Sequence, residues 1–205
     1  QETATLSEQG LGTCVGRRFD GIEWKVIRIR DDAIEQMQDA ELVPAGEIGE
    51  LVVRGPVVTS SYVNLPQQTE LHKVKDGSTF WHRMGDLGYI DQSGRLWMCG
   101  RKSHRVQTPT ETLFTIPCES VFTVHPQVRR AALVDAHGTP TICIELETGF
   151  SQSAVLEKEL QDIASHHPHT RSISRFLFHP KFPVDVRHNA KIYREQLATW
   201  AEAKR

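Results

Sequence analysis

Lys191 stands in HNAKIYREQL, residues 188–197, between a small polar turn and a run with helical spacing. Its ammonium is a compact cation on a flexible stem, suited to solvent or to a point contact with an anionic group. Solvent is the commoner fate of a lysine. Asp86, in HRMGDLGYID, follows Gly85 at what reads as a turn, and an ionised aspartate is an acceptor only. GRKSHRV, residues 100–106, sets Arg101, Ser103 and His104 close together. Arginine brings a rigid fork of donors. His104 and His188 are candidate proton carriers only because imidazole titrates near neutrality; a surface or structural role is commoner for either. HHPH at 166–169 invites a metal reading. Metal sites usually gather ligands from several elements with carboxylate or cysteine partners, so this run reads as a solvated helix end. Cys14, Cys99, Cys118 and Cys143 form no CxxC pair and read as reduced thiols of a cytosolic protein.

These residues need elements to hold them. IEWKVIRIR, residues 22–30, alternates with period two and predicts a strand. GEIGELVVRGP predicts a second strand closed by Gly-Pro. TFWHRMGDLGYID predicts a strand, a turn at Gly85–Asp86 and another short strand, and DQSGRLWMCG a hairpin. The chain to about Gly100 is therefore β-rich, as a small barrel or antiparallel sheet. Beyond it, residues 116–124 predict a short helix, with Glu119 at its start where negative charge is favoured. RRAALVDAHGTPTICIELE predicts two strands joined at His-Gly. SQSAVLEKELQDIASHH predicts an amphipathic helix with Val155, Leu156, Leu160 and Ile163 inward and Ser151 as N-cap. SISRFLFHP predicts a strand, and a last helix carries Tyr193, Leu197 and Trp200 on one face. The fold class is α+β, with a boundary at Gly100–Ser103.

With 24 basic against 26 acidic residues the net charge of −2 argues against a nucleic-acid footprint. A hydrophobic content of 39% suits a folded globular chain. No apolar run approaches the ~18 residues of a transmembrane segment. The first twenty residues show no apolar signal region and run straight into a strand, as if the chain opened inside a larger fold.

Four stretches then line up in order. GEIGELVVRGPVVTSSYVNLP, residues 46–66, resembles the GELxIxGxxVxxGYxxxP motif of adenylate-forming enzymes. HRMGDLGYID resembles their TGDL motif, GRKSHRV their GRxDxQVK hinge and HNAKIYREQL their terminal GKIxRRxL pattern. Each is weak alone; the ordered set covers nearly the whole chain. The superfamily embraces acyl-CoA synthetases, peptide-synthetase adenylation domains and luciferases. By this resemblance, residues 1–100 look like the C-terminal β subdomain of a larger N-terminal AMP-binding domain. Residues 101–205 look like its small, mobile C-terminal lid. The Ser/Thr/Gly-rich phosphate loop and the YGxTE-like motif of such enzymes do not occur in the sequence. WHRMGDLGYID, GRKSHRV, ETLFTIPCESVF and FPVDVRHNAKIYREQLATWA are more narrowly similar to the β-lactone synthetase branch of bacterial olefin biosynthesis. The implied reaction takes a 2-alkyl-3-hydroxy fatty acid and ATP to a β-lactone, AMP and pyrophosphate.

The resemblance implies roles. Lys191 matches the lysine whose charge stabilises the crowded phosphorus of adenylation, a preference for the transition state that raises rate. Asp86 matches the carboxylate that accepts from the ribose hydroxyls, and Arg101 the arginine that contacts ribose or phosphate. Ser103 falls where relatives place a hinge Asp or Lys, and a small residue can absorb a large change in φ and ψ. Mg2+ would arrive on the phosphates of ATP. Other olefin-biosynthesis enzymes are the implied partners, beside the small acyl substrate. Thioester-forming members carry a glycine beyond the hinge beside the pantetheine arm; here Thr110 stands near its place, and no glycine occurs between Gly100 and Gly138. An intramolecular nucleophile needs no such passage. An acyl-CoA or acyl-AMP ligase and a non-catalytic interaction module remain the alternatives.

Overall fold

A computed structural model of the chain describes residues 2–187 and 191–204. The chain divides into two units: Thr13–Ser103, and the residues from His104 onward together with those up to Gly12. The N-terminal residues that read with the β-rich section from sequence thus pack with the later one, where helix α1 (Glu2–Glu8) lies against α3 (Thr115–Thr123).

The first unit is an antiparallel sheet of β1 (Thr13–Gly16), β2 (Glu23–Ile27), β3 (Gly49–Arg54), β4 (Lys73–Asp76), β5 (Thr79–Ile90) and β6 (Leu96–Arg101), with helix α2 (Pro66–His72) before β4. The order is β1-β6-β5-β3-β2, and β4 adds to β5. Ile27, Val52, Val74 and Trp81 bury one face with Ile34 and Met37 from the following loops. The turn expected at Gly85–Asp86 is instead a bulge within one continuous strand. Val52 pairs with Arg83 but Glu50 pairs with Leu87, so β5 carries two extra residues between those pairs. Gly85 sits there at φ +67°, in the left-handed region that favours glycine.

The same face buries charge. Arg83 and Glu50 are fully buried and paired, with Nη2 to Oε2 at 2.7 Å. Arg83 also donates to the carbonyls of Asp32 (2.7 Å) and Leu71 (3.2 Å). Lys102 Nζ reaches Glu50 Oε2 at 3.2 Å and the Arg30 carbonyl at 2.9 Å. Such a cluster holds because nearly every donor finds an acceptor; removing one member would strand the others.

In the second unit, β7 (Val106–Gln107) and β8 (Thr112–Leu113) form a small hairpin. β9 (Val128–Ala136) and β10 (Thr139–Leu146) pair antiparallel, and β11 (Arg175–Phe178) runs parallel to β10. The β9–β10 turn holds His137 at φ 55° and Gly138 at φ 77°, a pair of left-handed residues matched to the twist of a two-residue hairpin. Helix α4 (Ala154–His166) and α3 cover one face of this sheet through Leu156, Leu160, Val121 and Phe122. α5 (Arg194–Glu202) covers the other through Leu197 and Ala201. Two details differ from the sequence reading. Ser153, not Ser151, caps α4, its hydroxyl accepting from the Leu156 amide at 3.1 Å. That start turns Val155 out to 68% exposure, and Ala164 completes the buried stripe. β12 (Val184–Asp185) and β13 (Lys191–Ile192) form a two-residue ladder just before α5.

Candidate functional site

Lys191 owes its place to three local constraints. It pairs with Asp185 across the β12–β13 ladder. The Tyr193 amide donates to the Pro183 carbonyl at 2.9 Å, fixing the entry to α5. One residue later, Arg194 is clamped by Glu119 from α3, with Nη1 to Oε1 at 2.5 Å and Nη2 to Oε2 at 2.8 Å. Glu119 accepts a third bond from the Leu133 amide of β9 at 2.8 Å. Burial pushes the Glu119 carboxyl up, and the Arg194 guanidinium opposes it. Glu119 is therefore structural for a different reason than its helix position suggests: it lies mid-helix and anchors α5 to α3 and β9. The Lys191 side chain itself is exposed.

Lys191 opens onto a cavity of about 340 Å³ lined by His104, Asp185, Lys191, Ile192, Tyr193 and Glu195. Here the His104 imidazole, 17% exposed, lies 3.3 Å from the Glu195 carboxylate through Nε2. Burial, with Arg194 and Lys191 nearby, holds the His104 pKa below its usual value, while Glu195 pulls the other way. Asp185 accepts from the Arg187 amide at 2.9 Å and from the Tyr193 hydroxyl. Glu195 went unnoticed in the sequence. Its place in the first turn of α5 is legible, but its partner 91 residues away is not.

Asp86 and Arg101 meet in the first unit. They pair across β5 and β6, with Arg101 Nε to Asp86 Oδ1 at 3.0 Å. Arg101 also donates to the Met84 carbonyl at 3.1 Å, which braces the bulge. The Asp86 side chain is 16% exposed; burial raises its pKa and Arg101 opposes the rise. Engaging Oδ1 leaves Oδ2 for further donors, and a carboxylate has lone pairs enough for a diol. Ser103 is exposed in the 3₁₀ turn Lys102–His104, where the chain passes from one unit to the other. Thr110 is exposed at the tip of the β7–β8 hairpin, its amide donating to Thr108 Oγ1 at 3.3 Å. His188 lies outside the described residues. The HHPH run disperses: His166 Nδ1 lies against the Asp162 carbonyl, and His169 Nε2 against that of Pro117. Among the described residues no three His, Cys, Asp or Glu side chains gather as a metal site, and no helix is long and apolar enough to cross a membrane.

No protein-family model matches the chain. Curated relatives and solved structures do. The olefin beta-lactone synthetase of Xanthomonas campestris pv. campestris is 48% identical over 99% of this chain, which spans 38% of that relative. The olefin beta-lactone synthetase of Stenotrophomonas maltophilia is 43% identical over 100% of the chain and 39% of the relative. Among solved structures, the O-succinylbenzoate coenzyme A synthetase of Bacillus subtilis, in complex with AMP, superposes with a TM-score of 0.70. It is 26% identical and matches 90% of this chain and 35% of that one. Over its whole length the chain is a homologue of the olefin beta-lactone synthetases, built on the fold of the adenylate-forming enzymes.

Proposed function

We propose that the protein carrying this chain activates a 2-alkyl-3-hydroxy fatty acid with ATP as an acyl-adenylate, then closes the β-hydroxyl onto the activated carbon. The products are a β-lactone, AMP and pyrophosphate. The observation that carries this reading is the 48% identity across 99% of the chain to an olefin beta-lactone synthetase. In this reading Thr13–Ser103 ends the AMP-binding domain, and the residues from His104 onward form the lid. Lys191 meets α-phosphate and carboxylate oxygens, Asp86 and Arg101 hold the ribose, and Ser103 is the hinge. Mg2+ enters on the phosphates of ATP rather than on protein ligands. The setting is the cytosol, where ATP and reduced thiols coexist, beside enzymes that consume the lactone.

A second reading is an acyl-CoA ligase, favoured by a 2-succinylbenzoate–CoA ligase of Bacillus cereus that is 32% identical over 65% of this chain. The test is product analysis by NMR with the full-length protein, Mg-ATP and a 2-alkyl-3-hydroxy acid, with and without CoA. A lactone formed without CoA is the expected result; a CoA thioester with no lactone would move the protein to the second reading. The 205-residue chain by itself should catalyse no ATP–pyrophosphate exchange, because the phosphate loop is not among its residues. Measurable exchange by that chain would contradict the domain assignment.

A further inference from the structure

We propose that His104 is the base of the ring-closing step, taking the proton of the substrate's β-hydroxyl as that oxygen attacks the adenylated carbon. This rests on the β-lactone reading and adds to it the group that makes the alcohol a nucleophile.

The geometry supplies a dyad beside the adenylation lysine. His104 Nε2 faces the Glu195 carboxylate at 3.3 Å, and both side chains line the cavity that Lys191 enters. With Nε2–H donating to Glu195, Nδ1 keeps its lone pair, and it makes no hydrogen bond among the described residues. Of the six lining residues, His104 is the one suited to gain and lose a proton near neutrality. Lys191 has to stay cationic for adenylation. Glu195 is a weak base, its carboxyl held below the usual range chiefly by a backbone hydrogen bond and by His104. Asp185 is engaged by the Arg187 amide and by Tyr193. Burial, with the charges of Arg194 and Lys191, lowers the His104 pKa against the opposing pull of Glu195 and so favours the neutral, basic imidazole.

The step balances without a further reagent. The β-oxygen forms a bond to the carboxyl carbon while the bond from that carbon to the phosphate oxygen breaks. AMP leaves with the electron pair, and the hydroxyl proton moves to His104 Nδ1. The imidazolium is stabilised by Glu195 until it returns the proton to solvent. Glu195 acts through His104 and is a positioning residue. The same lysine that lowers the adenylation barrier holds the acyl head in reach of the base, so nucleophile, carbon and proton acceptor meet within one cavity.

The test uses the full-length protein with Mg-ATP and a 2-alkyl-3-hydroxy acid. It follows pyrophosphate release for adenylation and β-lactone by NMR for closure. In His104→Gln, lactone formed per pyrophosphate should fall about 100-fold, the ordinary contribution of a positioned base. Hydroxylamine should trap the stranded acyl-adenylate. The rise of the closure rate with pH through the imidazole titration should vanish. In Glu195→Gln that rise should persist but move to lower pH, because an anion that favours the imidazolium is gone. The groups that bear on this titration are Glu195, Arg194 and Tyr193, Lys191 and Asp185. A lactone-to-pyrophosphate ratio unchanged in His104→Gln would overturn the proposal, as would both steps falling together. Wild-type protein that adenylates but yields no lactone would instead dispose of the β-lactone reading, and this inference with it.

Discussion

In the proposed reaction Lys191 would act as a cation and Asp86 as an anion, and each assignment carries its own prediction. Lys191→Ala should cut adenylation about 100- to 1,000-fold, the cost of removing one preorganised group from a charged transition state. Its side chain is exposed, so thermal stability should hold within about 0.5 kcal/mol. Pyrophosphate release and a melting curve on one preparation check both. Asp86→Asn replaces a two-oxygen acceptor by a half-acceptor and unpairs Arg101. The KM for ATP should rise about 10-fold, as expected for hydrogen bonds to a charged group. Burial raises the Asp86 pKa, so the carboxylate is lost on acidification at a higher pH than an exposed aspartate would show. ATP affinity measured by calorimetry should therefore weaken as pH falls through that raised value, and Asp86→Asn should flatten this dependence. Lys191 and Asp86 stand out in the sequence as candidates because motif and residue type coincide there. Glu195 and Lys102 are not, because their meaning lies in partners 91 and 52 residues away.

Elements rather than single residues set the aim of Lys191. The Glu119–Arg194 pair ties α5 to α3 and β9, and breaking a buried pair from one side costs about 3 kcal/mol. Glu119→Ala should lose that much in denaturant unfolding and should lower adenylation as well, since the strand carrying Lys191 loses its anchor. The caps offer a cleaner contrast. Ser153→Ala should destabilise by about 1 kcal/mol, and Ser151→Ala by nearly nothing. Equal effects would contradict the observed start of α4. Here the sequence misleads for a physical reason: SQS offers two serine caps, Ser151 and Ser153, and only the packing of Leu156 and Leu160 selects between them. Strand alternation and the paired left-handed turn at His137–Gly138 were legible locally. The unbroken β5 was not, because Gly85 is equally at home in a turn and in a bulge.

At the scale of the whole molecule, each unit has its own core and its own buried thiols. Burial pushes Cys99 in the first unit and Cys143 in the second up to about 12. At pH 8 only Cys14, the half-buried one of the four, should react promptly with a thiol reagent. Cys99, and separately Cys118 and Cys143, should label at the rates at which their units open; four fast sites would refute both cores. The two-unit division was partly visible as the change of pattern after Gly100, whereas the packing of α1 with the later unit needed three dimensions. The bulge in β5 has one more consequence, best put as a matter of phase. Its two extra residues are an even number, so Trp81, Arg83 and Leu87 stay on the inner side of the sheet. Deleting Gly85 alone would act like a frameshift and turn the outer half of the strand inside out. Deleting Met84 and Gly85 together would bring the pattern back into frame, giving a straight strand that folds but no longer presents Asp86 from a bulge.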